Sequence, residues 1–545
     1  MKNRIAMATL ALLVTAGTLL VTAGTFAQNR SQFSGSVTSI NHLYRTDRAI
    51  NFTRPSNPFA TNTITQLQYS YSAFSAGLQY EAYLPPLSGY PYQLEGNKIT
   101  GRYFRYAKNS IDLTVGSFYE QFGSGLIYRA YENRDLGINS ATDGLKVIFR
   151  PLPYLRVTAL YGMQRRFLEY TKNYIKGVDA EVLIDSLFGS SAFMRVGAGF
   201  VSRYDKYTGS QDGIPENVNA ASIRASLNLA NTELTAEYAN KSGDPSLFNQ
   251  FTICTGESLL INGNYTKRRF GLFFSARFLK SMNFSGDREF DDIYNSVNYL
   301  PANTRQHSYM LANIYPYATR TENEFSIQGE MSYTFKKGSA LGGKYGTGAR
   351  INFSQARELE QRVGASSIKL ISAGESLYFQ DLNVELTKKM SNKFSWIFTY
   401  INLQYNKALI EAPVYEFVKS HTIIADLHFR FSNKISLRTE LQQLFTKQDQ
   451  GNWSAYLAEV GLAPHLSFFV SQMFNTQGSS SDQVGSNGQG SPKGGYYNVG
   501  AGYKTNRVRF ALGFGRQREG LICSGGICQR VPSYKGFNFR MDINF

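Results

Sequence analysis

The strongest constraint on how this chain folds lies in its last stretch, Phe537 to Phe545. Phe537, Phe539, Met541, Ile543 and Phe545 alternate with Asn538, Arg540, Asp542 and Asn544. Successive side chains of a strand point to opposite faces, so a period of two makes one face apolar and the other polar and charged. The edge strand of a soluble sandwich can alternate in this way. So can a strand of a membrane barrel, with lipid on one side and a watery lumen on the other. Whether the pattern repeats along the chain decides between them.

It repeats. Ile423, Ala425, Leu427, Phe429 and Phe431 share one face, and Asp426, His428 and Arg430 share the other. Ser432 to Lys434 turns the chain, after which Ile435, Leu437, Thr439 and Leu441 oppose Arg438 and Glu440. Val508, Phe510, Leu512 and Phe514 oppose Arg507 and Arg509, and Ile111, Leu113 and Val115 oppose Asp112 and Thr114. Connections alternate in length. They are short near 230–231 and 266–268, and long at 165–174, 204–216, 241–255 and 281–321. His307–Ile314 belongs inside the last of these, because counting it as a strand makes the total odd and reverses the loop pattern. The expected fold is all-β: a single large transmembrane antiparallel β-barrel of about 24 strands (roughly 22 to 26), with short periplasmic turns and long extracellular loops. The lumen-facing candidates are Asp426, His428, Arg430, Arg438, Glu440, Arg507, Arg509 and Arg540.

Composition agrees with this reading. The chain has 36 Tyr and 39 Phe but only 2 Trp, a strand-forming profile suited to interfacial girdles. A mean hydropathy of −0.29 is what a lipid face averaged with a polar lumen produces. Beyond the N-terminus there is no apolar run of about 18 residues, so helical spans are excluded. Lys2 and Arg4, the apolar run Ile5 to Val21 and then Thr25-Phe-Ala27 form a signal peptide over 1–27, leaving the barrel at 28–545. Export to the outer membrane of a Gram-negative cell follows as the expected location. The net charge of +17 fits either a basic rim on anionic lipid heads or a lumen field that draws anionic solutes. Nucleic acid is not an expected partner of an exported chain without such a motif. The expected partners are outer-membrane lipid and lipopolysaccharide, the barrel-assembly machinery, and other envelope proteins.

One stretch carries most of the candidate chemistry: Gly116 to Gly137, followed by Asp143-Gly-Leu145. Gly123 and Gly125 permit sharp turns. Glu120, Arg129, Glu132, Arg134 and Asp135 are able to pair with one another, and Tyr119 and Tyr131 lie among them. Wide barrels enclose an aqueous channel unless something fills it. A loop at 119–143 packed into the lumen either braces the wall or constricts the pore, and these residues are the constriction candidates.

FYEQFGSGLIYRAYENRDLGIN in this stretch resembles the hallmark of a Bacteroidota family of outer-membrane barrels known only as a domain of unknown function. EAYLPPLSGYP (81–91), LYGMQRR (160–166), YPYAT (315–319) and KKGSALGGKYG (336–346) are similar to it as well. The resemblance implies a porin-like barrel and no substrate. A weaker similarity links Gly116 to Leu145 with polysaccharide-export porins of the alginate type, which conduct an anionic polymer past lumenal arginines. The terminal Phe545 resembles the C-terminal signal read when such barrels are inserted.

Cys523 and Cys528 flank Ser524-Gly-Gly-Ile527, which in an oxidising compartment reads as a hairpin disulfide, leaving Cys254 over. The histidines show no ligand spacing, so no metal or cofactor is expected. The acidic run Gly286–Asp292 is either a calcium loop or, more commonly for such runs, a solvated one. No nucleophile motif or nucleotide fingerprint is present, so an enzyme is not expected. A TonB-dependent transporter needs a separate N-terminal plug, yet alternation begins near Phe33. Two functions remain. One is a porin-like channel for small or anionic solutes, constricted by 119–143. The other is a non-conducting structural or scaffolding barrel within an outer-membrane complex.

Overall fold

The computed structural model describes residues 31–184, 193–361, 368–411, 417–476 and 495–545. The expected signal peptide and the Ser- and Gly-rich stretch Gln477–Gly494 lie outside the described residues. Twenty-four strands form one antiparallel sheet that closes on itself. The first strand, Ser31–Tyr44, pairs with Phe59–Tyr71 on one side and with the last strand, Tyr534–Asn544, on the other. Phe545 finishes the seam, because Gly35 N donates to Phe545 O at 2.8 Å and Phe545 N to Gly35 O at 3.0 Å. Closure leaves no unpaired strand edge, which hydrocarbon would not tolerate. No helix among the described residues is long and apolar enough to cross a membrane.

The outer face is the apolar one. Ile223, Val470, Leu512 and Leu441 are 64%, 51%, 54% and 44% exposed, an arrangement that water would penalise and lipid satisfies. Aromatic rings meet across neighbouring strands on this face, with centroids 4.7 Å apart for Phe394 and Phe429 and 4.6 Å for Phe514 and Phe537. At one end the turns are tight. Those at 72–73, 109–110, 230–231 and 268–269 begin on Ser72, Asn109, Ala230 and Arg268, all in the left-handed region that two-residue hairpins require.

Two expectations need correction. Residues 165–174 are not a long loop: Arg166 pairs with Glu169 across a tight turn at Phe167 and Leu168. The register then shifts between Tyr170 and Tyr174, and this bulge breaks the alternation that would have revealed a strand. The short-turn end also has a long connection, 336–346, between Asn323–Phe335 and Thr347–Gln361. Gly338, Gly343 and Gly346 take positive φ there. The His307–Ile314 segment is loop, as expected, with one turn of 3-10 helix at Leu311–Asn313.

Candidate functional site: loops folded onto the inner wall

The 119–141 connection follows the strand Ile111–Phe118 and turns back over the inward side chains of the wall. Its reversal is set by Gly123, at φ 54°. A Cβ there would lie 2.5 Å from the Glu237 carboxylate, and that same carboxylate accepts from Ser124 N at 2.7 Å. Beyond the turn, Phe122, Leu126, Ile127 and Tyr128 are at most 2% exposed. They pack on Val201, Val218, Ala220, Ala239 and Leu279, inward residues of four wall strands. The wall is shaped to receive them. A Cβ on Gly177 would come within 2.8 Å of the Phe122 ring, so only glycine leaves room for that ring.

The 281–322 connection supplies the rest. It lies against 119–141 through backbone bonds, from Arg129 N to Val297 O at 2.8 Å and from Tyr299 N to Gly125 O at 2.9 Å. Asn298 donates to Leu126 O and Met282 O. The loop then follows the inner wall, taking one partner after another. Arg305 pairs with Glu385 at 2.7 Å and His307 with Asp381 at 2.6 Å. Tyr309 donates to Asp426 at 3.3 Å, and Leu311 N to Gln442 at 3.0 Å. Leu311, Ile314, Tyr315 and Tyr317 sit in a second apolar cluster with Ile401, Tyr405 and Trp453. Burial and the nearby Asp449 and Glu324 carboxylates push the Tyr315 and Tyr317 hydroxyls well above their ordinary range, so both remain neutral donors.

Ion pairs brace the wall and the connections that fold onto it. Arg203, wholly buried, reaches Asp244 at 2.9 Å, which Lys241 also meets at 3.0 Å. Arg277 holds Glu324 at 2.8 Å. Arg288, 1% exposed, lies on Asp205 at 3.1 Å, and Arg166 contacts Asp292 at 2.5 Å. The run Gly286–Asp292 is anchored through Arg288 and Asp292 while Glu289, Phe290 and Asp291 stay exposed to solvent, and burial raises Asp287 above the usual carboxylate range. A third element completes the assembly. The ribbon Gly520–Ser524 and Ile527–Val531 carries the disulfide between Cys523 and Cys528, directly opposed with Cα atoms 4.0 Å apart. Its tip touches three other connections: Asn133 donates to Ser524 O at 3.2 Å, Ala302 N to Gly526 O at 3.1 Å, and Gln529 to Gly89 O. Tyr299 donates to Gly525 O as well.

The constriction candidates do not pair as a group. Glu132 and Arg134 meet at 3.0 Å, while Gln79 donates to Glu132 at 3.1 Å and Arg134 reaches Thr38 of the first strand at 3.4 Å. Glu120 instead meets wall cations, Lys146 at 3.3 Å and Arg156 at 3.8 Å. Arg129 stacks on Tyr299 at 3.8 Å, and Tyr131 meets the same ring at 5.0 Å. The Tyr119 hydroxyl accepts from Asn139 at 2.9 Å, and Asp135 is exposed. Glu132 and Arg134 pair with each other, whereas Glu120 and Arg129 find their partners on the wall and on the neighbouring loop. Of the lumen-facing candidates, Arg438 bridges Asp426 at 2.9 Å and Glu440 at 2.5 Å, His428 lies 3.0 Å from Asp426, and Arg540 pairs with Asp542 at 2.9 Å. Arg430, Arg507 and Arg509 are exposed. Cys254 carries a free thiol of intermediate exposure. Among the described residues no group of His, Cys, Asp and Glu could hold a metal ion.

Sequence reasoning missed the role of 281–322. The available signal was apolar: Leu300, Leu311, Ile314, Tyr315 and Tyr317 are too many large side chains for a loop held in water.

A model of a family of unknown function, DUF6029, matches residues 1–545. No curated protein sequence matches the chain. Among solved structures the barrel is similar to the P pilus usher (PapC) translocation pore, with TM-score 0.44 and 9% identity over 94% of this chain and 99% of that one. It is similar to the siderophore receptor PirA from Pseudomonas aeruginosa, with TM-score 0.43 and 10% identity over 95% and 81%. The outer membrane protein opdK from Pseudomonas aeruginosa gives TM-score 0.36 and 12% identity over 76% and 99%. At these scores the likeness carries no inference about what the barrel does.

Proposed function

The chain belongs to the DUF6029 family, and from that starting point we propose that it is an outer-membrane channel for small, anionic solutes, narrowed by its own inward-folded connections. The observation that carries this reading is the contrast between the two ends of the inner wall. At the loop end, 119–141 and the first part of 281–322 pack together on one stretch of the wall, and residues 311–317 pack on the stretch that follows, in two apolar clusters. Toward the short turns, inward-facing Lys389, Arg430 and Arg509 are exposed. A wide barrel filled at one end and cationic at the other suits a narrow, anion-favouring path better than an open pore. Single-channel recording in planar bilayers tests it. The expected result is a small conductance with a reversal potential favouring anions, enlarged when residues 122–138 are replaced by a short Gly-Ser linker. Silence from both proteins refutes it.

The second reading, a non-conducting scaffold, is favoured by the two apolar clusters themselves, since loops so firmly packed suit a sealed barrel. It predicts that silence, together with co-purification of envelope partners in mild detergent. Under either reading the leader at 1–27 directs export, the assembly machinery acts on the Phe545 end, and lipopolysaccharide surrounds the outer leaflet.

A further inference from the structure

Near the short-turn end, five neighbouring strands align one inward residue each. The ladder registers Lys389 with Ser395, Ser395 with His428, His428 with Arg438, and Arg438 with Glu459. A second row, one step nearer the turns, registers Arg430 with Ser436 and Ser436 with Gly461. Lys393 lies on the turn that precedes Phe394–Asn406. These side chains line one cavity of about 520 Å³. It lies on the lumen side, because Ile423, Leu441 and Val460 occupy the alternate, outward positions of the same strands.

The charge here is not self-compensated. Arg438 is engaged by Asp426 and Glu440. Lys389, Lys393 and Arg430 form no ion pair among the described residues, and all three are exposed. Lys389 rests over the Tyr345 ring at 5.0 Å, which fixes its direction without neutralising it. Set against these cations is one lining carboxylate, Glu459. The Ser395 and Ser436 hydroxyls stand between the charges. Gly461 leaves the floor open, since a Cβ there would lie 2.7 Å from the Ser436 hydroxyl.

Three free cations around a hydroxyl-lined hollow with one acceptor carboxylate match a particular chemistry. The cations suit a phosphate dianion, and Glu459 with the serines suits adjacent sugar hydroxyls. We infer that this cavity is a binding site for a small phosphorylated sugar, entered from the short-turn side. The inference deepens the channel reading, for which it supplies the solute class.

Calorimetric titration of the intact barrel in uncharged detergent tests it, with glucose 6-phosphate, inorganic phosphate and glucose as probes. Glucose 6-phosphate should bind more tightly than inorganic phosphate, and glucose should not bind measurably. The combined variant Lys389→Gln, Lys393→Gln, Arg430→Gln should weaken glucose 6-phosphate roughly tenfold or more. Its unchanged heat-modifiable mobility on gels shows that it still closes into a barrel. Equal affinity of wild type and variant, or no binding to either, overturns the site. Inorganic phosphate binding as tightly as the sugar phosphate overturns the sugar assignment. Displacement of bound sugar phosphate by micelles doped with phosphatidylglycerol would also overturn it, because it would make the ligand a lipid headgroup. Binding without current removes the channel and leaves the site, whereas anion-selective current without binding does the reverse.

Discussion

Phe122 gives the most direct test of the loop packing. Its side chain is 1% exposed, lies over Gly177 and meets the Tyr128 ring at 5.3 Å. Truncating a buried Phe to Ala costs about 3–5 kcal/mol when the surroundings do not collapse into the gap. Collapse is opposed here, because the wall strands are held by hydrogen bonds on both sides. The cost therefore falls on docking of the 119–141 connection rather than on the barrel. With tenfold per 1.4 kcal/mol, the docked-to-undocked ratio should fall by roughly 10²–10⁴. Hydrogen exchange read by mass spectrometry should show lost protection at 121–130 and at 296–299, which bond to that segment. The strand amides should be unchanged. Leu512→Ala, which removes a lipid-facing side chain, should leave both segments protected. Unaltered exchange at 121–130 in Phe122→Ala would refute the packing argument.

Glu81→Gln leaves Arg165 buried without its 2.6 Å ion pair, so the barrel should lose about 3–5 kcal/mol of stability, read as a lower temperature for loss of heat-modifiable mobility. An unchanged transition would contradict it. Reducing the bond between Cys523 and Cys528, or replacing both with Ser, should raise exchange at Gly89, Asn133 and Ala302 together, since the ribbon tip touches all three; a change confined to 520–531 would count against the latch. Burial raises Glu322 above its ordinary range. A carboxyl raised in the folded state favours that state at low pH and costs stability as pH climbs above its unfolded value. Local stability around Glu322 should thus fall as pH rises out of the ordinary carboxylate range, read as hydrogen exchange at 319–323 that quickens more than the intrinsic rate does, and Glu322→Gln should abolish that excess. Deleting Phe545 should reduce the fraction of closed barrel recovered, because its backbone pairs with Gly35 at the seam.

Sequence alone determined the wall of this protein. Alternation is a local property, so Ile423 to Phe431 announces which side chains meet lipid without knowledge of any partner. Parity then gave the even strand number and put His307–Ile314 in a loop. The cysteine spacing identified the bridged ribbon for the same reason, since its partners lie five residues apart. Where locality failed, the reading failed: the bulge after Tyr170 hid a strand, and the glycine-rich 336–346 gave no sign of its end. Only the tertiary structure decided what fills the wall. A period of two says that Val201, Ala239 and Asp381 face inward but not what they meet there. Phe122 finds Gly177, Arg203 finds Asp244, and His307 finds Asp381 across separations that no spacing rule encodes. Those meetings arise from closure of the ring, which brings distant inward residues within reach of the same two loops.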